Sequence, residues 1–158
     1  MGVVAIDRSG NLDDPAFYVA AVKKDTEHEQ EHRALEMRYA EFQHYVKLCK
    51  SVDYREKISA ACIFESLRII IGKDDSVQID MDFLGHHQED VRQCLKRLLN
   101  KHKNCDPDIV FMSKRNKKWK EHLKEAHKKS RLARFKQLKE PSVKNCPDLS
   151  NLILTLKK

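Results

Sequence analysis

The sequence predicts an α/β domain, a mixed sheet with helices on both faces. Two observations point to it. Two short apolar runs, Val3–Ile6 and Phe17–Val22, flank a stretch rich in Gly, Asn, Asp and Pro. Beyond residue 53, segments with helical apolar spacing alternate with short strand-like runs. A hairpin followed by such alternation implies antiparallel and parallel pairing in one sheet. A length of 158 residues fits one domain with a real core.

The elements follow in order. Val3–Ile6 reads as a buried strand, closed by Asp7-Arg8-Ser9-Gly10-Asn11, and Phe17–Val22 as its antiparallel partner across a long loop. Residues 27–49 fit two patterns. Leu35, Tyr39, Phe42 and Val46 recur at helical spacing, yet Leu35, Met37 and Tyr39 also alternate with Glu36 and Arg38 as in an edge strand. Tyr54–Ile71 reads as a helix with an apolar stripe of Ala60, Ile63, Phe64, Leu67, Ile70 and Ile71, with Asp53 at its N-cap and Gly72 at its C-cap. Val77–Phe83 is the next strand. Gln88–Lys101 is a helix with Val91, Leu95, Leu98 and Leu99 inward, and 108–112 a further strand. From Lys117 to about Lys139 runs a basic helix with a thin stripe of Trp119, Leu123, Ala126 and Ala133, broken by Pro141. Pro147–Leu156 closes the chain as a short helix. The expected organisation is one α/β domain over 1–140, with 141–158 a helical extension packed on it.

Composition narrows the function. No apolar run approaches the ~18 residues of a membrane span. The N-terminus has no basic region before its apolar stretch, which argues against a signal peptide. A cytoplasmic location is expected. Cys49, Cys62, Cys94, Cys105 and Cys146 show no paired spacing and read as reduced thiols. Cys94, His102 and Cys105, with His86 and His87 upstream, lack the paired knuckle of a zinc site. No Cys is flanked by a recognisable nucleophile elbow. Charge is the stronger signal. Between Lys114 and Lys139, twelve basic residues face only Glu121 and Glu125, a net of +10, so the remainder of this +7 chain carries −3. Such asymmetry suggests a polyanion partner. Lys114, Arg115, Lys117, Lys118, Lys120, Lys124, Lys128 and Arg131 are the candidate nucleic-acid contacts, with Trp119 either stacking on a base or anchoring its helix.

Three groups of acids stand out. Asp7 closes an apolar strand, where a carboxylate is costly unless paired, although it also suits a turn. Asp80 and Asp82, two apart on the strand Val77–Phe83, point to one face. Glu56 leads the apolar stripe of the first long helix, whereas Glu65 lies opposite it with Ile58, Cys62 and Ile69. Carboxylates brought together repel unless cations sit between them, and hard oxygen donors suit Mg²⁺ or Mn²⁺. Two such ions can drive phosphodiester hydrolysis.

The order of these acids resembles the ribonuclease H-like superfamily. Val3-Val4-Ala5-Ile6-Asp7-Arg8-Ser9-Gly10 is similar to its first strand and acid, and Tyr54–Ala61, with Glu56, to the start of its first long helix. Asp80 or Asp82 stands where its third acid does, and Glu121, followed by Glu125, where a fourth opens the last helix. The resemblance covers roughly residues 1–135. It implies an antiparallel hairpin or meander followed by alternating helices and strands, and it makes 32–40 an edge strand. It also implies a metal-dependent nuclease, or a related phosphoryl-transfer enzyme, acting on RNA, DNA or a hybrid. Asp7, Glu56, Asp80, Asp82 and Glu121 would be catalytic, and two Mg²⁺ or Mn²⁺ ions would be held by the first four. The alternatives are a nucleic-acid-binding module without the chemistry, or a protein-interaction domain using the basic helix.

Overall fold

The computed structural model describes residues 2–24, 31–80, 87–112, 121–134, 142–143 and 148–157. The order is β1 (Val3–Ser9), β2 (Ala16–Lys24), β3 (Glu31–Arg38), α1 (Tyr39–Cys49), α2 (Tyr54–Leu67), β4 (Ser76–Asp80), α3 (Gln88–Lys103), β5 (Ile109–Met112), α4 (Glu121–Arg134), the two-residue β6 (Ser142–Val143) and α5 (Ser150–Leu156). The chain is α/β. Its mixed open sheet runs β5-β4-β1-β2-β3, with β6 beyond β3. β1 and β3 each pair antiparallel with β2, whereas β1–β4 and β4–β5 are parallel.

Alternation along the strands sorts the sheet into two faces. Val4, Ile6, Phe17, Val19, Leu35, Met37, Val77 and Ile79 pack in the main core with α1, α2, α3 and α5. Ala5 and Val22, on the other face, meet Leu123 and Ala126 of α4. The smaller side chains there let one helix lie close against the strands.

β1 is longer than its apolar run suggests. Asp7, Arg8 and Ser9 continue the pairing with Ala20, Val19 and Tyr18, so Asp7 lies within the strand. The turn starts at Gly10, whose φ of +81° and 2.9 Å approach of a would-be Cβ to the Ala16 carbonyl both require glycine.

Both patterns in residues 27–49 are real, one after the other. β3 alternates through Arg38, and α1 begins at Tyr39, where Glu41 accepts the Arg38 N–H at 3.2 Å. Tyr39, shared by the two patterns, is 41% exposed.

α2 stops four residues earlier than predicted, at Leu67. Ile70 and Ile71 both donate back to the Leu67 carbonyl, so the last apolar residues lie in a tight turn. Gly72 is therefore not the cap. Its N–H donates to Asp75 at 2.6 Å. From Ile58 to Leu67 the helix is buried all round, between the sheet and α1, α3 and α5. Glu65 is thus not on a solvent face. Arg33 of β3 and Arg68 each hold it at 3.0 Å. A buried carboxylate with two guanidiniums is compensated where an isolated one is not.

α3 and β5 are close to their predicted bounds, while the predicted ends of the strand Val77–Phe83 and of the basic helix from Lys117 to about Lys139 lie outside the described residues. α3 ends at Asn104 in the left-handed conformation (φ 50°), with Cys105 N–H reaching Leu99 O. Leu149, Leu152, Ile153 and Leu156 enter the main core, and Leu149 N–H donates to the Tyr45 hydroxyl at 3.1 Å. Cys49, Cys62, Cys94 and Cys105 are buried free thiols, and burial pushes those of Cys49, Cys94 and Cys105 up. No helix among the described residues is long and apolar enough to cross a membrane.

Asp75 ties three segments together. It accepts the Gly2 N–H at 2.9 Å and the Gly72 N–H at 2.6 Å, and pairs with Lys23 at 2.7 Å. Burial opposes its charge, but Lys23 and the two N–H groups prevail and hold its carboxyl below the ordinary aspartate value. A depressed carboxyl stabilises the fold above its unfolded pKa of ~3.9 and loses that contribution as pH falls through the lower folded value. Asp75→Ala should cost about 3 kcal/mol at pH 7. In urea melts at pH 7 and pH 3, the gap between wild type and variant should shrink at the lower pH. An equal gap at both would refute this role.

Candidate functional site

The centre of the sheet delivers two carboxylates to one place. The β1–β4 register ends at Ile6 opposite Ile79, and Asp7 and Asp80 each follow by one residue. Alternation puts both on the face of Ala5, beneath α4. Asp7 is 2% exposed and Asp80 is fully buried. Carboxylates at these depths need partners to remain charged.

α4 supplies one. His127 Nδ1 lies 2.6 Å from Asp7 Oδ2, while the other Asp7 oxygen accepts the Arg8 N–H at 2.8 Å. His127 follows Leu123 by one helical turn and adjoins Ala126, both fully buried, and its own side chain is 35% exposed. Ser130 Oγ donates to the His127 carbonyl, binding the next turn of the helix to this one. Opposite a carboxylate, Nδ1 is the donor of this hydrogen bond. The arrangement can orient an imidazole, or hold an anionic carboxylate in place beneath a basic helix.

Glu56 is placed differently. It is buried in the first turn of α2, the helix on the opposite face of the sheet from α4. His87, at the N-cap of α3, reaches its Oε1 at 3.1 Å, and its Oε2 has no hydrogen-bond partner among the described residues. Asp82 lies outside the described residues, as do Lys114, Arg115, Lys117, Lys118, Trp119 and Lys120, and the side chain of Glu121 is likewise not described. Among the described residues, no three His, Cys, Asp or Glu side chains form a group that could hold a metal ion. Asp7 and Asp80 provide two hard oxygen donors, the donor chemistry that Mg²⁺ or Mn²⁺ takes.

The candidate nucleic-acid contacts that are described lie on α4. Lys124, Lys128 and Arg131 are exposed along it. Lys129 approaches His32 on β3, where burial first and the lysine second push the imidazole pKa down. Sequence reasoning missed His127 and His87. The signal for His127 was present, since a titratable side chain occupies the apolar stripe four residues after Leu123. His87 offered none, because its partner is 31 positions away in sequence.

Comparison with protein-family models, curated proteins and solved structures gives no match for this chain.

The Asp7–His127 pair should be worth about 1–3 kcal/mol of coupling, as buried polar pairs commonly are. A double-mutant cycle with Asp7→Asn and His127→Gln, read by urea denaturation, measures it. Additive effects of the two substitutions would show that the pair does not form in solution.

Proposed function

We propose that this chain is a ribonuclease H-like protein that binds a nucleic acid and hydrolyses its phosphodiester backbone with the help of divalent cations. The observation behind the proposal is the pair Asp7 and Asp80, both buried on the α4 face of the adjacent parallel strands β1 and β4. The strand order β5-β4-β1-β2-β3, antiparallel on one side of β1 and parallel on the other, supports the same reading.

Asp7 and Asp80 would hold the cation. A bound Mg²⁺ or Mn²⁺ supplies Lewis-acid stabilisation of phosphoryl oxygens and acidifies a water. The chain's own contribution is placement. β1 and β4 fix two carboxylates on rigid elements, and His127 sets the orientation of Asp7. Lys124, Lys128 and Arg131 neutralise backbone phosphates along α4, which gives affinity without sequence preference.

A second reading keeps the binding and drops the chemistry. It is favoured by His127, which already engages one oxygen of Asp7. Cleavage assays on labelled RNA, DNA and hybrid separate the two. The nuclease reading expects Mn²⁺- or Mg²⁺-dependent cleavage, reduced roughly a hundredfold or more by Asp7→Asn. Salt-sensitive binding without cleavage would support the module instead.

Binding itself has a separate signature. Replacing Lys124, Lys128 and Arg131 with Ala should flatten the plot of log affinity against log salt. The slope should fall by ~0.9 for each phosphate no longer neutralised on a duplex, or by ~0.7 on single strands. An unchanged slope would remove α4 from the interface.

A further inference from the structure

A cavity of about 300 Å³ opens between the β1–β2 turn and the first turns of α2. That volume is at the lower end of the range for small-ligand sites. Arg8, Arg55 and Ser59 line it. Ser59 is fully buried, and its hydroxyl has no hydrogen-bond partner among the described residues. A buried hydroxyl left in this state costs free energy that a ligand oxygen can recover.

We propose that this cavity is an anion subsite that takes one phosphate group of a nucleic-acid backbone, across β1 from Asp7. The inference rests on the nucleic-acid reading above and adds to it a place for a phosphate away from the carboxylates. Arg8 follows Asp7 in β1 and so projects to the opposite face, towards α2. Its Nη1 donates to the Gly10 carbonyl at 2.7 Å, which anchors the guanidinium at the turn. Arg55 comes from the first turn of α2, the positive end of the helix dipole.

Two acids in the wall must be accounted for. Asp14 is engaged by the Asn11 N–H at 2.8 Å. Asp13 takes Nη2 of Arg55 with both oxygens, at 2.9 and 2.7 Å. A guanidinium has five N–H donors, so this contact leaves others on Arg55 for a second anion while it fixes the plane of the group. Planar, held guanidiniums suit the tetrahedral oxygens of a phosphate better than mobile ammonium groups do. With Asp13 and Asp14 balancing the two guanidinium charges, the Ser59 hydroxyl adds a neutral donor for a phosphate oxygen.

The test uses inorganic phosphate, titrated into the ¹⁵N-labelled full chain without divalent cations or nucleic acid and at constant ionic strength. Saturable shifts are expected at the amides of Arg8, Asn11 and Ser59, with a dissociation constant of about 1–10 mM. Arg55→Gln should weaken binding about fivefold or more, and Ser59→Ala, which removes only a hydroxyl, should weaken it measurably in a folded protein. Shifts that do not saturate, shifts confined to the lysines of α4, or identical titrations for wild type and both variants would overturn the subsite. Phosphate binding at this cavity by a protein that cleaves nothing would refute the nuclease and leave the subsite standing. Cleavage by a protein with no saturable phosphate site would do the reverse.

Discussion

The structure depends on the position of β1, paired on both edges at the middle of the sheet. Its antiparallel partner β2 continues alongside Asp7, Arg8 and Ser9, whereas its parallel partner β4 stays in register to Ile79. Asp7 is therefore held on one side by strand pairing and lies beside Asp80 on the other. Both carboxylates turn to the face where Ala5 and Val22 leave room for α4. Had β1 ended at Ile6, Asp7 would be a turn residue in solvent with no need of a partner.

That constraint divides the labour between the two faces. The large apolar side chains collect on the side of α1, α2, α3 and α5 and supply most of the burial. The α4 face is polar by comparison, with Asp7, Asp80 and His127 under a helix that carries its lysines outward. Stability and the proposed chemistry are thus separated by one layer of backbone. Asp75 performs a purely structural version of the same task, with a buried carboxylate satisfied by a lysine and two N–H groups. The contrast is informative. Asp75 closes off its surroundings, while Asp7 is met by an imidazole that is still partly open to solvent.

The amphipathic expectation for α2 failed for a physical reason. Its stripe of Ala60, Ile63, Phe64 and Leu67 is buried as expected, but Ile58, Cys62 and Glu65 on the other side are buried too. A helix covered on every side has no polar face to reveal its orientation, and Glu65 is tolerated only because Arg33 and Arg68 reach it. Residues 31–49 posed a different problem. Strand and helix periodicities overlapped at Leu35 and Tyr39, and only the pairing of β3 with β2 shows where one gives way to the other.

Local sequence pattern was enough to specify the α/β class, the hairpin, and the core faces of α3 and α5, and to single out Asp7, Glu56 and Asp80 without deciding their burial. All of these follow from periodicity, in which apolar spacing reports which side of an element must leave water. The extent of β1, the end of α2 at Leu67 and the partners of the buried acids were fixed instead by packing between distant elements. His127 lies 120 residues from Asp7 and His87 lies 31 from Glu56. No local pattern encodes such pairs, because they arise where separate elements cross. They place Asp7 with α4 and Glu56 with α3, on opposite sides of a sheet whose strand order becomes known only once it has formed.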